Sequence, residues 1–288
     1  MNELGFDNYL KQTDWEGAIN IRRSTRSFEI QPVEEAVSIQ IDKFIEYFKP
    51  PFDHAAKIER FRANPDKKLY TIFSAPPDNL AFISNTDICS ISKTGFVGEM
   101  IILYATSLGL ATCWYGHYAR VELERVVPHL GICAQQPLPR WGYGLGQVEG
   151  ERVICITPIG YWEEKGLRLI DRMQTNLFSH RRKVIDQLLV NESKNLDLPP
   201  HISYALDLAR KAPSGANSQH WRFSISPDFK TITVAMPEGY KHVKWEHPNV
   251  DIGICACHIW LGLKLQEIDS NINITEEQDR AIWRFELL

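Results

Sequence analysis

No basic excess, paired-cysteine motif or membrane-length apolar run appears in this 288-residue sequence. Acidic side chains outnumber basic ones by 36 to 32, giving a formal charge of −4. That balance argues against a general nucleic-acid binder, whose partner demands positive surface. The six cysteines, at 89, 113, 133, 155, 255 and 257, lack the spacing of a zinc ribbon or a redox pair. In a chain this long they read as buried reduced thiols of a cytoplasmic protein. His247, Cys255, Cys257 and His258 cluster in sequence, yet the two cysteines stand two apart on an expected helix and face different ways. No metal is therefore read there. The longest uncharged stretch, Met100 to Gly116, falls short of the roughly 20 apolar residues a membrane helix needs. The opening residues are acidic where a secretory leader would need a basic start and an apolar block. Three alternating glycines in RWGYGLGQVEG (140–150) lack the strand–turn–helix frame of a dinucleotide fingerprint and read as a flexible hairpin.

The composition that remains, 44% hydrophobic and 24% charged, can bury a large core without staples. Residues 34–48 place Val37, Ile41, Phe44, Ile45 and Phe48 on one stripe, predicting an amphipathic helix stopped by Pro50-Pro51. YTIFSA (70–75) reads as a strand, and LAFIS resumes an apolar run. Residues 95–108 predict a buried helix closed by Gly109, then a short strand over 110–116 and a short helix over 121–127. RVICITPIGYW (152–162) is β-branched and apolar, as a central strand requires. Later come a helix begun by Pro199-Pro200 and ended before Pro213, strands at WRFSI and FKTITVAMP, a buried helix over 249–268, and a final strand at AIWRFELL.

The order basic segment, helix, strands, uncharged glycine-containing helix occurs twice. RRSTRSFEIQPVEEAV corresponds to HRRKVIDQLLVNESKN, and GFVGEMIILYATSLGLATCW to NVDIGICACHIWLGLKLQEI. The polar stretch 163–183 reads as the crossover between a first half, 1–162, and a second, 184–288. The expected protein is an internally fused dimer.

Three segments carry chemistry. In RRSTRSF (22–28), arginine forks and hydroxyls match phosphate oxygens, and an expected helix start just beyond adds a favourable dipole. A basic solvated turn would look the same. In APSGANSQHWRF (212–223), small residues let backbone approach a flat ligand, while Ser214 and Asn217 offer polar groups. Ordinary helix-to-strand turns share that composition. LGLATCWYG (108–116) delivers Tyr115-Gly116 to a strand end, where α/β ligands commonly sit, although such a segment is more often core.

Together the three segments resemble the FMN-dependent nitroreductase family, in its tandem branch. The Arg-Arg-Ser-x-Arg-x-Phe start, the Ala-Pro-Ser-x-x-Asn-x-Gln-x-Trp loop and the Gly-Leu-x-x-Cys-Trp helix exit carry the resemblance. It implies an α+β fold, with a mixed central sheet flanked by helices and two halves forming an intramolecular pseudo-dimer. By the same resemblance Arg22, Arg23 and Ser24 hold the FMN phosphate, and Arg26 faces N1 and O2 of the ring. Pro213, Ser214, Gly215 and Asn217 line the cofactor from the other half. Tyr115 and Gly116 match the segment whose N–H approaches N5, and Lys165 with Arg168 completes the phosphate site. The loop departs from the family pattern at His220, where proline is usual. HRRKVID lacks the matching hydroxyl, so one composite site is expected rather than two. The implied activity is two-electron ping-pong transfer from NADH or NADPH through N5 to an electron-poor nitroaromatic or quinone-like acceptor. It names no acid, base or nucleophile of the protein. A monomer without nucleic-acid or membrane partners is expected. The competing readings are a flavin module without turnover, serving as redox sensor or carrier, and a same-fold FMN enzyme on another substrate, such as a dehalogenase.

Overall fold

The computed structural model describes residues 5–65, 69, 70, 73, 75–130, 150–163, 181–240 and 247–288. Two compact units emerge: 1–50, 55–86 and 100–179 form the first, and 51–54, 87–99 and 180–288 the second.

The first unit opens with helices α1 (Phe6–Gln12), α2 (Trp15–Ile21) and α3 (Glu35–Tyr47). Asp14 caps α2 by accepting the Gly17 N–H at 2.8 Å. The predicted stripe of α3 buries Ile41 and Phe44, and the Phe44 ring stacks on Tyr104 at 4.2 Å. Strands β1 (Lys57–Arg62), β2 (Asp78–Ser84), β3 (Ala111–Thr112) and β4 (Arg152–Gly160) pair in the order β1-β2-β4-β3. The two central strands are almost wholly buried, which is why they read as continuous apolar runs. Between β2 and β3 runs helix α4 (Ile88–Ser107), whose start belongs to the second unit and whose end belongs to the first. Helix α5 (Arg120–Val126) follows β3.

The second unit continues with α6 (Pro200–Ala209), the hairpin β5 (Arg222–Ile225) and β6 (Thr231–Ala235), α7 (Pro248–Lys264), and the hairpin β7 (Ser270–Glu277) and β8 (Arg280–Leu287). Its sheet order is β5-β6-β8-β7. Numbered within each unit, both sheets read 1-2-4-3, with an α-helix preceding the first strand and a long apolar helix between the second and third. That shared order is the internal repeat seen at the level of the fold. All ladders are antiparallel, and parallel pairing occurs at single bridges, Ser24 with Thr112 and Leu189 with Phe223.

Several sequence expectations shift. The helix expected from residue 95 begins at Ile88, because the Asp87 carboxylate accepts the Ser90 N–H at 2.9 Å and caps the polar first turns. Within 70–75 the described residues hold only a single bridge, Tyr70 with Tyr118, and the strand is β2 instead. Edge strands β1 and β7 were not expected. The strand read over 110–116 shrinks to Ala111–Thr112 plus a Tyr115–Ile156 bridge. The hairpin at 140–149 and the crossover from 164 to 180 lie outside the described residues. Cys133 does too, and of the described thiols Cys89 is only half-buried. Helix α4 is long and apolar enough to cross a membrane, with mean hydropathy 1.3, but 78% of that window is buried inside the protein.

Candidate functional site

In the first unit the arginine-rich segment follows a helix rather than introducing one. Helix α2 stops at Ile21 and Arg22 is its C-cap, donating its N–H to Ala18 O at 2.9 Å. The next helix, expected over 34–48, starts on its far side at Glu35. Between the two helices the chain runs extended along the sheet. Ser24 bridges Thr112 of β3, and Thr25 N–H reaches Thr112 O at 2.9 Å. Glu29 N–H donates to Tyr161 O at 2.9 Å, and Phe28 bridges Trp162 just beyond β4.

This stitching brings two of the three sequence segments together. Burial pushes the Cys113 thiol up, while the guanidiniums of Arg26 and Arg22 and a hydrogen bond with Ser24 act in the opposite direction. Two residues expected at the phosphate, Arg22 and Ser24, and one expected at the ring edge, Arg26, thus all act on one buried thiol. Arg22 is itself buried, so its charge works in a poorly screened setting. Arg23 is exposed and its guanidinium lies 4.3 Å from the Trp162 ring centroid. Tyr115 exchanges both backbone hydrogen bonds with Ile156 at 3.0 Å, and its ring stands edge-on to Tyr70 and Phe73. Its N–H is thereby committed to the sheet, which leaves Gly116 as the member of the pair suited to meet a ligand. Lys165 and Arg168 lie outside the described residues.

In the second unit the loop after α6 is conformationally unusual. Ala216, Asn217 and Gln219 all have left-handed backbones, at φ 51°, 54° and 46°. Each such non-glycine residue costs about 1–3 kcal/mol unless its surroundings enforce it. The enforcement is visible. Ser214 Oγ accepts the Gln219 N–H at 2.9 Å, and Asp251 of α7 accepts the Gly215 N–H at 2.9 Å. Arg182 donates to Asn217 Oδ1 at 2.7 Å, while Asn217 Nδ2 donates to Arg181 O at 3.2 Å. The polar groups of Ser214 and Asn217, expected to meet a ligand, brace the loop instead. Pro213 is buried, and Gly215 is half-buried.

Asp251, Gln219, His220 and Lys183 are participants the sequence reading missed. Asp251 is fully buried, and desolvation raises its carboxyl to about 8, with the Gly215 N–H opposing the rise. Its sequence signal was available: it is the one carboxylate in an otherwise apolar helix. His220 Nε2 lies 3.2 Å from Pro248 O, and a carbonyl can only accept, so Nε2 carries the proton. Its Nδ1 lies 2.8 Å from Ser218 Oγ and 3.8 Å from Asp251, and its ring stacks on Tyr240 at 4.7 Å. His258 is likewise occupied, between Leu208 O and Glu99 Oε1. Among the described residues no group of three or more His, Cys, Asp or Glu could hold a metal.

A family model described as "Putative TM nitroreductase" matches residues 15–127 and 143–263. A crystal structure titled as a putative nitroreductase from Thermotoga maritima matches with a TM-score of 0.58 at 20% identity, covering 100% of this chain and 95% of that one. A nitroreductase with bound FMN from Bacteroides fragilis aligns over 55% of this chain and 92% of its own, at 17% identity and a TM-score of 0.38. No curated protein matches the chain. The fold with its repeated sheet order and the family match over most of the sequence agree, and the chain belongs to this nitroreductase family.

Proposed function

We propose that the chain is an FMN-dependent oxidoreductase that takes two electrons from NADH or NADPH and delivers them to an electron-poor acceptor, a nitroaromatic or a quinone-like compound. The observation that carries this reading is the seating of the arginine-rich segment along β3, with Ser24 bridging Thr112 and Thr25 N–H bonded to Thr112 O, which sets Arg22, Ser24 and Arg26 to act on the Cys113 thiol in a chain of this family. The Arg22 guanidinium and the Ser24 hydroxyl suit a phosphate dianion, since forked N–H donors match its oxygens and charge assistance roughly doubles each bond. Bound FMN would supply hydride acceptance and donation at N5.

The chain's own residues then do the holding and orienting. Arg22 and Ser24 bind the phosphate, with Lys165 and Arg168 completing the set and Arg23 at its exposed margin. Arg26 provides a fixed cation for the pyrimidine edge, where negative charge develops on reduction. Gly116, next to the sheet-bound Tyr115, offers its N–H to the ring. Pro213, Ser214, Gly215 and Asn217 contribute as a preformed loop, with backbone rather than braced side chains meeting the ligand. No side chain is assigned as acid, base or nucleophile. Cytoplasmic residence, a monomeric state, and the absence of nucleic-acid and membrane partners complete the proposal.

The test is an absorption spectrum of the purified protein titrated with FMN, followed by reduction with NADH or NADPH and reoxidation by a nitroaromatic. One FMN per chain, lost in Arg22→Ala and cycling in the wild type, is the expected result. Binding without cycling would make the chain a flavin-binding module, and no binding would refute the proposal.

A further inference from the structure

The second unit carries its own basic run, Arg181-Arg182-Lys183, within the segment that corresponds to the arginine-rich stretch of the first. Its three residues are all turned toward the 214–219 loop. Arg182 Nη1 donates to Asn217 Oδ1 at 2.7 Å. The Arg181 carbonyl accepts from Asn217 Nδ2 at 3.2 Å and from Gln219 Nε2 at 3.0 Å. Lys183 N–H donates to Gln219 Oε1 at 2.8 Å, and its Nζ reaches the carbonyls of Ser218 and Gln219, each at 3.0 Å. Gln219, buried, is the hub of this array. The side chains and carbonyls bound are those of residues in or beside the left-handed backbone stretch. Left-handed non-glycine residues persist only where neighbouring groups over-determine them, and here three consecutive residues do so.

We infer that Arg181, Arg182 and Lys183, acting through Gln219 and Asn217, are positioning residues that hold the 213–217 loop in its flavin-receiving shape. The inference rests on the function proposed above, but its structural half can fail separately. In the first copy the basic segment is kept for the ligand. In the second, the Arg182 and Lys183 side chains and the Arg181 carbonyl serve as braces, which also accounts for one flavin per chain rather than two. Pre-setting a loop removes an ordering cost from binding, so the effect belongs in cofactor affinity.

Hydrogen exchange on the flavin-free chain tests the brace, and FMN titration tests its purpose. In Arg182→Ala the amides of Asn217, Ser218 and Gln219, which bond to Ser214 and Gly215, should exchange about ten-fold faster, the worth of one charge-assisted hydrogen bond. FMN should bind about ten-fold more weakly by the same reckoning. Arg182→Lys, which keeps a donor for Asn217, should recover most of both effects. Gln219→Glu, which keeps the acceptor for Lys183 but loses the donor to Arg181, gives a second reading should Arg182→Ala fold poorly. Unchanged loop exchange in a folded variant would overturn the inference. So would faster loop exchange with unaltered FMN affinity, since the run would then be merely structural. A wild-type chain that binds no FMN would overturn the positioning role together with the proposed function, and unchanged exchange would still separately show the brace to be absent.

Discussion

Replacing Gly253 with alanine sets two opposing effects against each other, and the geometry decides between them. Gly253 lies in α7 against the first turns of α4, and both belong to the second unit. A Cβ there would sit 1.7 Å from Ser92 O and 2.9 Å from Phe96 N. Ordinary contact begins at 3.4 Å, so the two helix backbones must separate by about 1.7 Å. Neither obstacle is a side chain that can rotate away. Alanine gains about 1 kcal/mol of helix propensity over glycine. Overpacking against rigid atoms costs typically 1–3 kcal/mol and occasionally more. Separation would also disturb the stacked Phe96–Trp283 pair, at 5.4 Å, and the 2.8 Å bond from Trp283 Nε1 to Ser92 Oγ. Net destabilisation of about 2 kcal/mol is expected, from the upper end of the overpacking cost less the propensity gain, lowering the melting temperature by about 4–8 °C for a chain of this size. Circular-dichroism melts of Gly253→Ala, Gly95→Ala and Gly262→Ala provide the assay. The closest backbone approaches are 1.7, 2.1 and 2.7 Å respectively, so the losses should fall in that order. An unchanged or raised melting temperature in Gly253→Ala would refute the argument from close helix approach.

Two further predictions concern buried charge. Asp251 ionises near pH 8 when folded, against its ordinary value of 3.8, so the native state holds its proton longer than the unfolded chain. Stability from this group is therefore full below the unfolded value and is lost as pH rises toward 8, by up to about 5 kcal/mol. Asp251→Asn should flatten that decline, leaving the variant more stable than the wild type in urea melts at pH 8; a parallel pair of pH profiles would count against it. Glu99 and His258 meet at 2.9 Å with both side chains fully buried, and His258 Nδ1 donates to Leu208 O at 3.0 Å. Glu99→Ala should cost about 1–3 kcal/mol or more by leaving a buried His258 nitrogen without its hydrogen-bond partner. Glu99→Gln should cost about 1 kcal/mol or less, since the amide can donate to Nε2; equal losses would show that packing alone is at stake.

The helices over 35–47 and 200–209 and the strands 152–160 and 280–287 were legible because each buries a periodic or continuous apolar run. The edge strands were not. Lys57–Arg62 sets only half-buried Ile58 and buried Phe61 among four charged residues, and Ser270–Glu277 shows only Ile272 and Ile274 of its inner face. Both depend on a neighbouring strand that no local pattern announces. The turn between β7 and β8 is equally hidden, since Gln278 and Asp279 both adopt left-handed backbone without a glycine. At the candidate site the residues were legible and their partners were not. Ser214 and Asn217 advertise polar groups, but only tertiary contacts reveal that Gln219 and Arg182 occupy them.

Both sheets follow the same 1-2-4-3 order within a single polypeptide. In an assembly of identical subunits, every codon change is made in all copies at once, and a residue needed at one site is protected at the other. Here inheritance of the two copies is uncoupled. Ser24 can stay while the corresponding segment, HRRKVID, carries no hydroxyl, and neither half constrains the other's vocabulary. A saturation scan of this one gene should accordingly return two different tolerance maps from the same architectural plan, with 22–28 intolerant through its ligand and 181–183 intolerant through its loop.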